Sequence, residues 1–450
     1  MNSDFGSDSL YADVKVLLIG DDMRSFLTCA RSFGRNGIEV HAVPFNWTAP
    51  ALSSKYINEV HKLPRMAQSV DNWVENVCEL QLEHDFDLII PCDERALLPL
   101  RAVPEDKRNF RLAEPGSLAL EHLFDKAKTR DLAQSLDIPV ASGTVVDHHS
   151  NAQLIVSQLG LPLMLKSRMS YSIEKLEVRG EVSTITSIEA LDDELRKFEG
   201  DDSFVVESFF PTVGEASGVG VSVAAREGAV LAAFQHRRLV EKPGGGSSSV
   251  RVSEALDPDM LWAVEKICNA TKLNGVAMFE FRQSADNGEW ILLEVNARPW
   301  GSMPLPLALD IDFPMMLLDI YLGKLGAYNL LYKPEIVGKN LALSILHQYR
   351  SEGRSGLGVV WFAFVEVLKH AVNCMRGKEV SDSFVRDDLR PAVKEFPNLV
   401  KRGIDRVAWG KDGAPERRKS LNKQKVEPAQ VERTVASKEQ DYAEQRKKSS

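Results

Sequence analysis

The sequence predicts an α/β amino-terminal domain, then an α+β region, then a helical carboxyl-terminal segment and a disordered tail. The chain opens with an apolar run, Val14 to Ile19, a helical pattern to about Asn36, Gly37 as a stop, and a second apolar run, Ile38 to Val43. That order reads as a βαβ unit. From about Leu118 onward, strand and helix patterns mix, with hairpin spacing between the last strands. Lys411 to Ser450 holds eleven Lys/Arg against seven Asp/Glu, a net of +4, and almost no large apolar residues. It cannot bury enough surface to offset the entropy of ordering. The expected divisions are 1–115, 116–330, a 331–410 extension packed on what precedes it, and a 411–450 tail.

Composition bounds the class. With 450 residues, 44% hydrophobic and 26% charged, the chain is of the soluble globular type and long enough for two or three domains. A net charge of −9 argues against nucleic acid as a main partner. Cys29, Cys78, Cys92, Cys268 and Cys374 are scattered without C-x-x-C spacing, so neither a disulfide framework nor a cysteine zinc site is indicated. A reducing cytoplasm fits. Met1 to Val14 lacks a basic segment followed by an apolar run, and no apolar stretch reaches the length of about 18 residues that spans a bilayer.

Gly20 follows the first strand, but G-x-G-x-x-G is absent, so it reads as a tight strand-to-helix turn and not as a dinucleotide site. A further strand, Phe86 to Pro91, runs into Cys92-Asp93-Glu94-Arg95 at its carboxyl end, where open α/β sheets bind ligands. Those charges either face a substrate or, for Asp93, cap the next helix. A helix begins at Phe124-Asp125-Lys126 and ends near Asp137. Lys166 closes the apolar strand Leu161 to Leu165, so it either snorkels outward or meets an anion. Phe204 to Glu207 leads to Ser208-Phe209-Phe210-Pro211 and Glu215. This stretch can line an adenine ring and its ribose, or simply end a core strand in solvent.

The most informative stretch is Glu294-Val295-Asn296-Ala297-Arg298, with Phe279-Glu280-Phe281 before it. Ala277 to Phe281 and Trp290 to Val295 flank the turn-forming Ser284 to Gly288, which predicts a hairpin. Glu294 and Asn296 then share a face. Carboxylate and amide oxygens on one face, beside an arginine, make a hard-oxygen site for Mg²⁺ carrying polyphosphate. The competing view is a surface hairpin with solvated acids.

Taken in order, Asp125-Lys126, Pro162 to Lys166, Val205 to Phe209, Glu215, Phe279-Glu280-Phe281 and Glu294 to Arg298 resemble the nucleotide-binding course of the ATP-grasp superfamily. The resemblance covers about Met1 to Gly323 and extends to Trp300-Gly301-Ser302 and the apolar helix from Phe313 to Leu322. These are similar to the carbamoyl-phosphate-synthase-like branch of ATP-dependent carboligases and carboxylate–amine ligases. It implies a Rossmann-like pre-ATP-grasp domain followed by two lobes that clasp ATP with Mg²⁺ or Mn²⁺. By position, Lys126 and Lys166 would bind phosphates, Glu207, Ser208 and Phe209 would line the adenine hinge, and Glu215 would take the ribose. Glu280, Glu294 and Asn296 would ligate the metal, and Arg298 would stabilise the phosphoryl group in transfer.

Two features depart from that pattern. Ser167 to Ser172, after the strand lysine, contains no glycine for a phosphate-covering flap. A glycine-rich loop instead follows Gln235-His236-Arg237-Arg238, at Pro243 to Ser249, and its N–H groups suit an anion. Arg237 and Arg238 are therefore further catalytic candidates. Gly356 to Lys369 is apolar and reads as a core helix in preference to an interfacial one, and Ser381 to Val400 as a docking segment. The resemblance implies an ATP-dependent ligase that activates a small-molecule carboxylate as an acyl phosphate for attack by an amine, with a homodimer allowed. The alternatives are a bicarbonate-activating carboxylase and a regulatory module that binds ATP without turnover. The intact metal ligands count against the last.

Overall fold

The computed structural model describes residues 11, 13–198, 203–211, 216–241, 248–324, 326, 328, 330–345 and 357–395. Val16 to Ile19 are apolar without alternation because β1 (Lys15–Ile19) is covered on both faces. It pairs in parallel with β2 (Glu39–Val43) and β4 (Leu88–Pro91), and β3 (Glu59–Val60) adds an edge, giving the order β3-β2-β1-β4. Helices α1 (Ser25–Arg35) and α2 (Val70–His84) connect these strands, and α3 (Glu94–Ala102) follows β4. Gly20, at φ +151°, makes the turn out of β1 and donates its N–H to Val43 O at 3.1 Å. The expected βαβ opening is present. Asp93 caps α3 by accepting from Arg95 N at 2.9 Å, as the capping alternative required.

After α4 (Ser117–Leu123) and α5 (Lys126–Ser135), the chain builds a small antiparallel sheet from β5 (Gly143–Val146), β6 (Leu163–Ser167), β7 (Val182–Ile185) and β8 (Phe204–Ser208), in the order β5-β8-β6-β7. Helices α6 (Ala152–Leu159) and α7 (Ile188–Leu195) close its own apolar core. The larger sheet comprises β9 (Ala216–Arg226), β10 (Ala229–Glu241), β11 (Ser248–Glu254), β12 (Gly275–Ser284), β13 (Trp290–Asn296), β14 (Val337–Lys339) and β15 (Glu379–Ser381). Its order is β13-β12-β9-β10-β11-β14-β15. One face carries Val221, Phe279 and Phe281 and packs on α8 (Pro258–Thr271). On the other face, Phe234 and Met278 join Phe26 of α1, Leu305 of α9 (Pro304–Ala308) and the apolar α10 (Phe313–Leu322) in one core that is continuous with the amino-terminal sheet. The two lobes thus meet beside the carboxyl ends of the parallel strands.

The segment after residue 330 is part of this body. It supplies β14 and β15, and its loop carries two acids into the interior. Arg31 of α1, with a side chain 4% exposed, donates to Asp388 Oδ2 at 2.9 Å and to the carbonyls of Asp382, Ser383 and Asp388. Ser54 Oγ donates to the same Asp388 oxygen at 2.7 Å, and Arg251 of β11 pairs with Asp382 at 2.5 Å. The helix α11 (Leu357–Met375) corrects the expectation of a core helix. It turns Glu366 inward to Lys339 at 2.8 Å and His370 to Glu379 at 2.7 Å, which leaves Trp361, Phe364 and Leu368 on the exposed side. Polar anchoring took the inward face. No helix among the described residues is long and apolar enough to cross a membrane. The 411–450 tail lies outside the described residues.

Removing one partner of a buried ion pair leaves the other charged and unsatisfied. Asp388→Ala should therefore destabilise the protein by about 3–5 kcal/mol in urea unfolding. A loss within about 0.5 kcal/mol, the range of ordinary surface changes, would show that the Arg31 clamp does not hold the carboxyl-terminal loop.

Candidate active site

The predicted hairpin is β12 and β13, paired antiparallel with Glu280 directly opposite Glu294. The register then slips, because Phe281 opposes Leu292 and Leu293 is extra. Such a bulge re-aims side chains. It keeps Phe281 and Leu292 in the core behind the sheet while Glu280 and Glu294 meet in front. Asn296, two residues on and on the same face, donates to Glu280 Oε1 at 3.3 Å. The structure therefore brings together the three oxygen-bearing residues expected to ligate a metal.

Two facing carboxylates repel unless cations surround them, and four do. Arg238 of β10 reaches Glu280 at 2.6 Å. Burial pushes the Glu280 carboxyl up, Arg238 opposes this and Glu294 reinforces it. Burial acts on Glu294 too, but Lys126, Lys166, Arg179 and Arg238 together hold it below its ordinary range. The opposite shifts are those of two acids sharing one site. Lys126 is placed by the cap of α5, where Asp125 accepts from Ala127 N at 2.9 Å and pairs with Arg168. Arg298 donates to Glu94 Oε1 at 3.0 Å and to Asn296 Oδ1 at 3.3 Å, tying the hairpin to the first turn of α3. Glu94, Lys126, Ser170, Glu294 and Asn296 line one cleft.

Lys166, buried at the end of β6, pairs with Glu207 at 2.5 Å. Glu207 also faces Arg130 of α5 at 3.3 Å. The ammonium thus stands between Glu207 and the field of Glu294, so the anion-meeting alternative fits and the snorkelling one does not. Ser208 sits at the exit of β8 with its N–H on Ser142 O at 2.7 Å, and Phe209 is half-exposed beside it. Glu215 and loop residues 243–247 lie outside the described residues.

Strand alternation separates the two candidate arginines of β10. Arg238 faces the acids, whereas Arg237 points to the other face and is tied to Glu254 at 2.5 Å, Ser217 at 2.5 Å and Gln283 at 2.6 Å. The structure does not bring Arg237 to the cluster. Beside Arg238 lie His236 and Arg251, both 1% exposed. Gly218 and Gly220 make room for them on β9: a Cβ at Gly220 would fall 2.3 Å from the His236 ring, and one at Gly218 would fall 2.7 Å from Arg238 Cδ. Arg24 lies over Gly301, where a Cβ would sit 2.8 Å from its guanidinium carbon. Burial, then Arg251 and Arg238, push the His236 imidazole well below its ordinary range, so it is neutral. Arg251 Nε and Nη1 and His236 Nδ1 are buried with no hydrogen-bond partner among the described residues. This face is cationic and under-satisfied, which suits an anion.

Sequence reading missed Arg24, Arg130, Arg179 and Arg251, and it noted His236 only as part of the basic stretch that ends in Arg238. The glycine alternation Gly218-Val219-Gly220, which clears the sheet surface, is a further signal of this face.

No protein-family model matches the chain. Pyruvate carboxylase of Schizosaccharomyces pombe is 25% identical over 206 residues, 43% of this chain and 17% of the carboxylase, so the chain spans less than a fifth of that relative's length. Among solved structures, N5-carboxyaminoimidazole synthetase from Staphylococcus aureus superimposes with a TM-score of 0.58 at 16% identity, covering 76% of this chain and 86% of that one. The biotin carboxylase domain of Hydrogenobacter thermophilus 2-oxoglutarate carboxylase, in complex with MgADP, ADP and bicarbonate, gives 0.55 at 16% identity over 72% and 73%. L-amino acid ligase from Bacillus licheniformis gives 0.54 at 18% identity over 72% and 79%. The parallel amino-terminal sheet followed by the small antiparallel sheet and the larger, mainly antiparallel one is the ATP-grasp fold, and this chain has it.

Proposed function

We propose that the chain is an ATP-dependent ligase that activates a substrate carboxylate as an acyl phosphate for attack by an amine. A carboxylate oxygen attacks the γ-phosphorus and ADP leaves. The amine nitrogen then attacks the acyl carbon, losing a proton, and phosphate leaves with that oxygen. The observation that carries this reading is Glu280 facing Glu294 on one strand face with Asn296, ringed by Lys126, Lys166, Arg179 and Arg238. Two carboxylates and an amide oxygen are the hard donors that Mg²⁺ takes, so Glu280, Glu294 and Asn296 would hold it. When bound, Mg²⁺ supplies charge neutralisation for the phosphoryl group.

The chain's own residues do the positioning. Lys166 and Lys126 approach Glu294 from β6 and α5, where a polyphosphate would lie between the lobes. Arg298, fixed by Glu94, holds its fork beside Asn296. The acceptor carboxylate docks on Arg251, Arg24 and neutral His236, next to Arg238. Positioning and electrostatics suffice for phosphoryl transfer, so no side-chain nucleophile is needed. The same small cationic face also suits bicarbonate, which is present in the Hydrogenobacter thermophilus complex, and a carboxylated product is the second reading. A screen of carboxylate and amine pairs, with bicarbonate included, for ADP release with Mg·ATP tests both. ATP binding without ADP release from any pair would instead make the chain a nucleotide-binding module.

Three variants follow from this reading. Glu294→Gln should abolish ADP release and leave the fold intact, because a neutral amide loosens the metal and leaves the phosphate charge unopposed. Unchanged turnover at saturating Mg·ATP would remove Glu294 from the metal set. Lys166→Ala should raise the KM for ATP about 10- to 100-fold, or about 1.4–2.8 kcal/mol if KM follows binding, while Glu207 keeps Arg130 as partner. Equal nucleotide affinity by calorimetry would assign Lys166 to structure alone. Arg251→Lys should raise the KM for the carboxylate by about tenfold, roughly 1.4 kcal/mol, without changing that for ATP, because a point charge does not replace a planar fork. A matching rise in both constants would move Arg251 out of the acceptor site.

A further inference from the structure

We propose that His41, His61 and His84, with Glu59, form a binding site for a divalent transition metal of the zinc class. The chain has nine histidines, and three of them converge here from separate elements. His41 lies on β2, Glu59 on β3, His61 just after it, and His84 ends α2. One ligand atom from each of the four residues lies within 4.8 Å of the others. The three imidazole rings are mutual neighbours, with centroids 4.8 to 5.1 Å apart. Three imidazole nitrogens and a carboxylate oxygen are a zinc donor set, and they are a poor one for Mg²⁺, which prefers oxygen.

The surrounding carboxylates orient the rings as metal-bound histidines are oriented. His41, 2% exposed, has Nε2 at 2.7 Å from Glu39 Oε1. Glu39 is itself held by Lys15 Nζ at 3.6 Å, and that ammonium also donates to His84 O at 3.0 Å. A carboxylate on Nε2 fixes the proton there and leaves the Nδ1 lone pair pointing into the cluster. His61 turns Nε2 inward, 2.8 Å from His41 Nδ1, with Nδ1 at 3.9 Å from Glu59 Oε1. The other Glu59 oxygen is 3.9 Å from His41 Nδ1, so this exposed carboxylate closes the site from the solvent side. Zinc–nitrogen bonds of about 2.0–2.1 Å at tetrahedral angles put the nitrogens roughly 3.3–3.4 Å apart, so the two rings need to separate by only about half an ångström.

The placement indicates what the ion does. β3 is two residues long and pairs with β2 only through His41–Glu59 and Ala42–Val60. The metal would staple this edge strand and the last turn of α2 to β2, a structural role. The site lies toward the amino ends of the parallel strands, since His84 O meets Lys15 at the start of β1, whereas Asp93 and Glu94 follow the carboxyl end of β4.

The full chain, stripped with a chelator and then titrated with zinc against a chromophoric chelator, should bind one equivalent and melt at a higher temperature in its presence. Cobalt(II) in place of zinc should give the visible absorption of a four-coordinate site. His84→Ala, at a helix end that tolerates the change, should lose that absorption and the thermal shift. Glu39→Gln should weaken zinc binding by about 10- to 100-fold, the effect of losing a carboxylate behind a ligand. Absence of zinc binding by the parent chain, or equal affinity in the parent, His84→Ala and Glu39→Gln, would overturn the assignment and leave a packed ring cluster. These readouts are metal content and folding, so they do not depend on the ligase reading.

Discussion

Glu280 and Glu294 are held face to face on a buried strand pair, and the site is organised around the repulsion between them. Like charges opposite one another destabilise a sheet, and burial sharpens the cost. Arg238, Lys126, Lys166 and Arg179 offset it from three directions: β10 of the same sheet, the cap of α5, and the small lobe. The facing acids therefore require both lobes to be where they are. A divalent cation at the same point would relieve the repulsion directly, in keeping with the proposed metal–polyphosphate site.

Much of this was legible in the sequence because it is local. The hairpin followed from two apolar runs around Ser284 to Gly288, and the shared face of Glu294 and Asn296 from strand periodicity. Lys126 and Lys166 were readable as a helix start and a charged strand end. What escaped was set by register and by distance along the chain. Arg237 and Arg238 are adjacent letters, and only the pairing of β10 with β9 and β11 decides which one faces Glu280. Glu94 finds Arg298 across 204 residues, and Arg24 meets Arg251 and Arg238 only because α1 docks on the large sheet. The bulge at Leu293 has no local signature in Trp290 to Glu294.

The carboxyl-terminal region shows the same limit from the other side. An apolar run from Leu357 to Leu368 reads as core by composition, yet Glu366 and His370 are the residues that turn inward. Their partners, Lys339 and Glu379, belong to β14 and β15, short strands that carry little signal of their own. The loop beyond them places Asp382 on Arg251 and Asp388 on Arg31. Arg251 is thereby shared between the proposed acceptor face and the fold's closure, so the extension helps shape the cationic face it borders.

The central claim is that the acid pair positions ATP for attack by a carboxylate. Its most direct test follows heavy oxygen from a labelled carboxylate that supports ADP release. Acyl-phosphate chemistry predicts that one labelled oxygen appears in the released phosphate for each ADP formed. ADP accompanied by phosphate free of label would mean that water, not the carboxylate, takes the phosphoryl group, and would contradict the account.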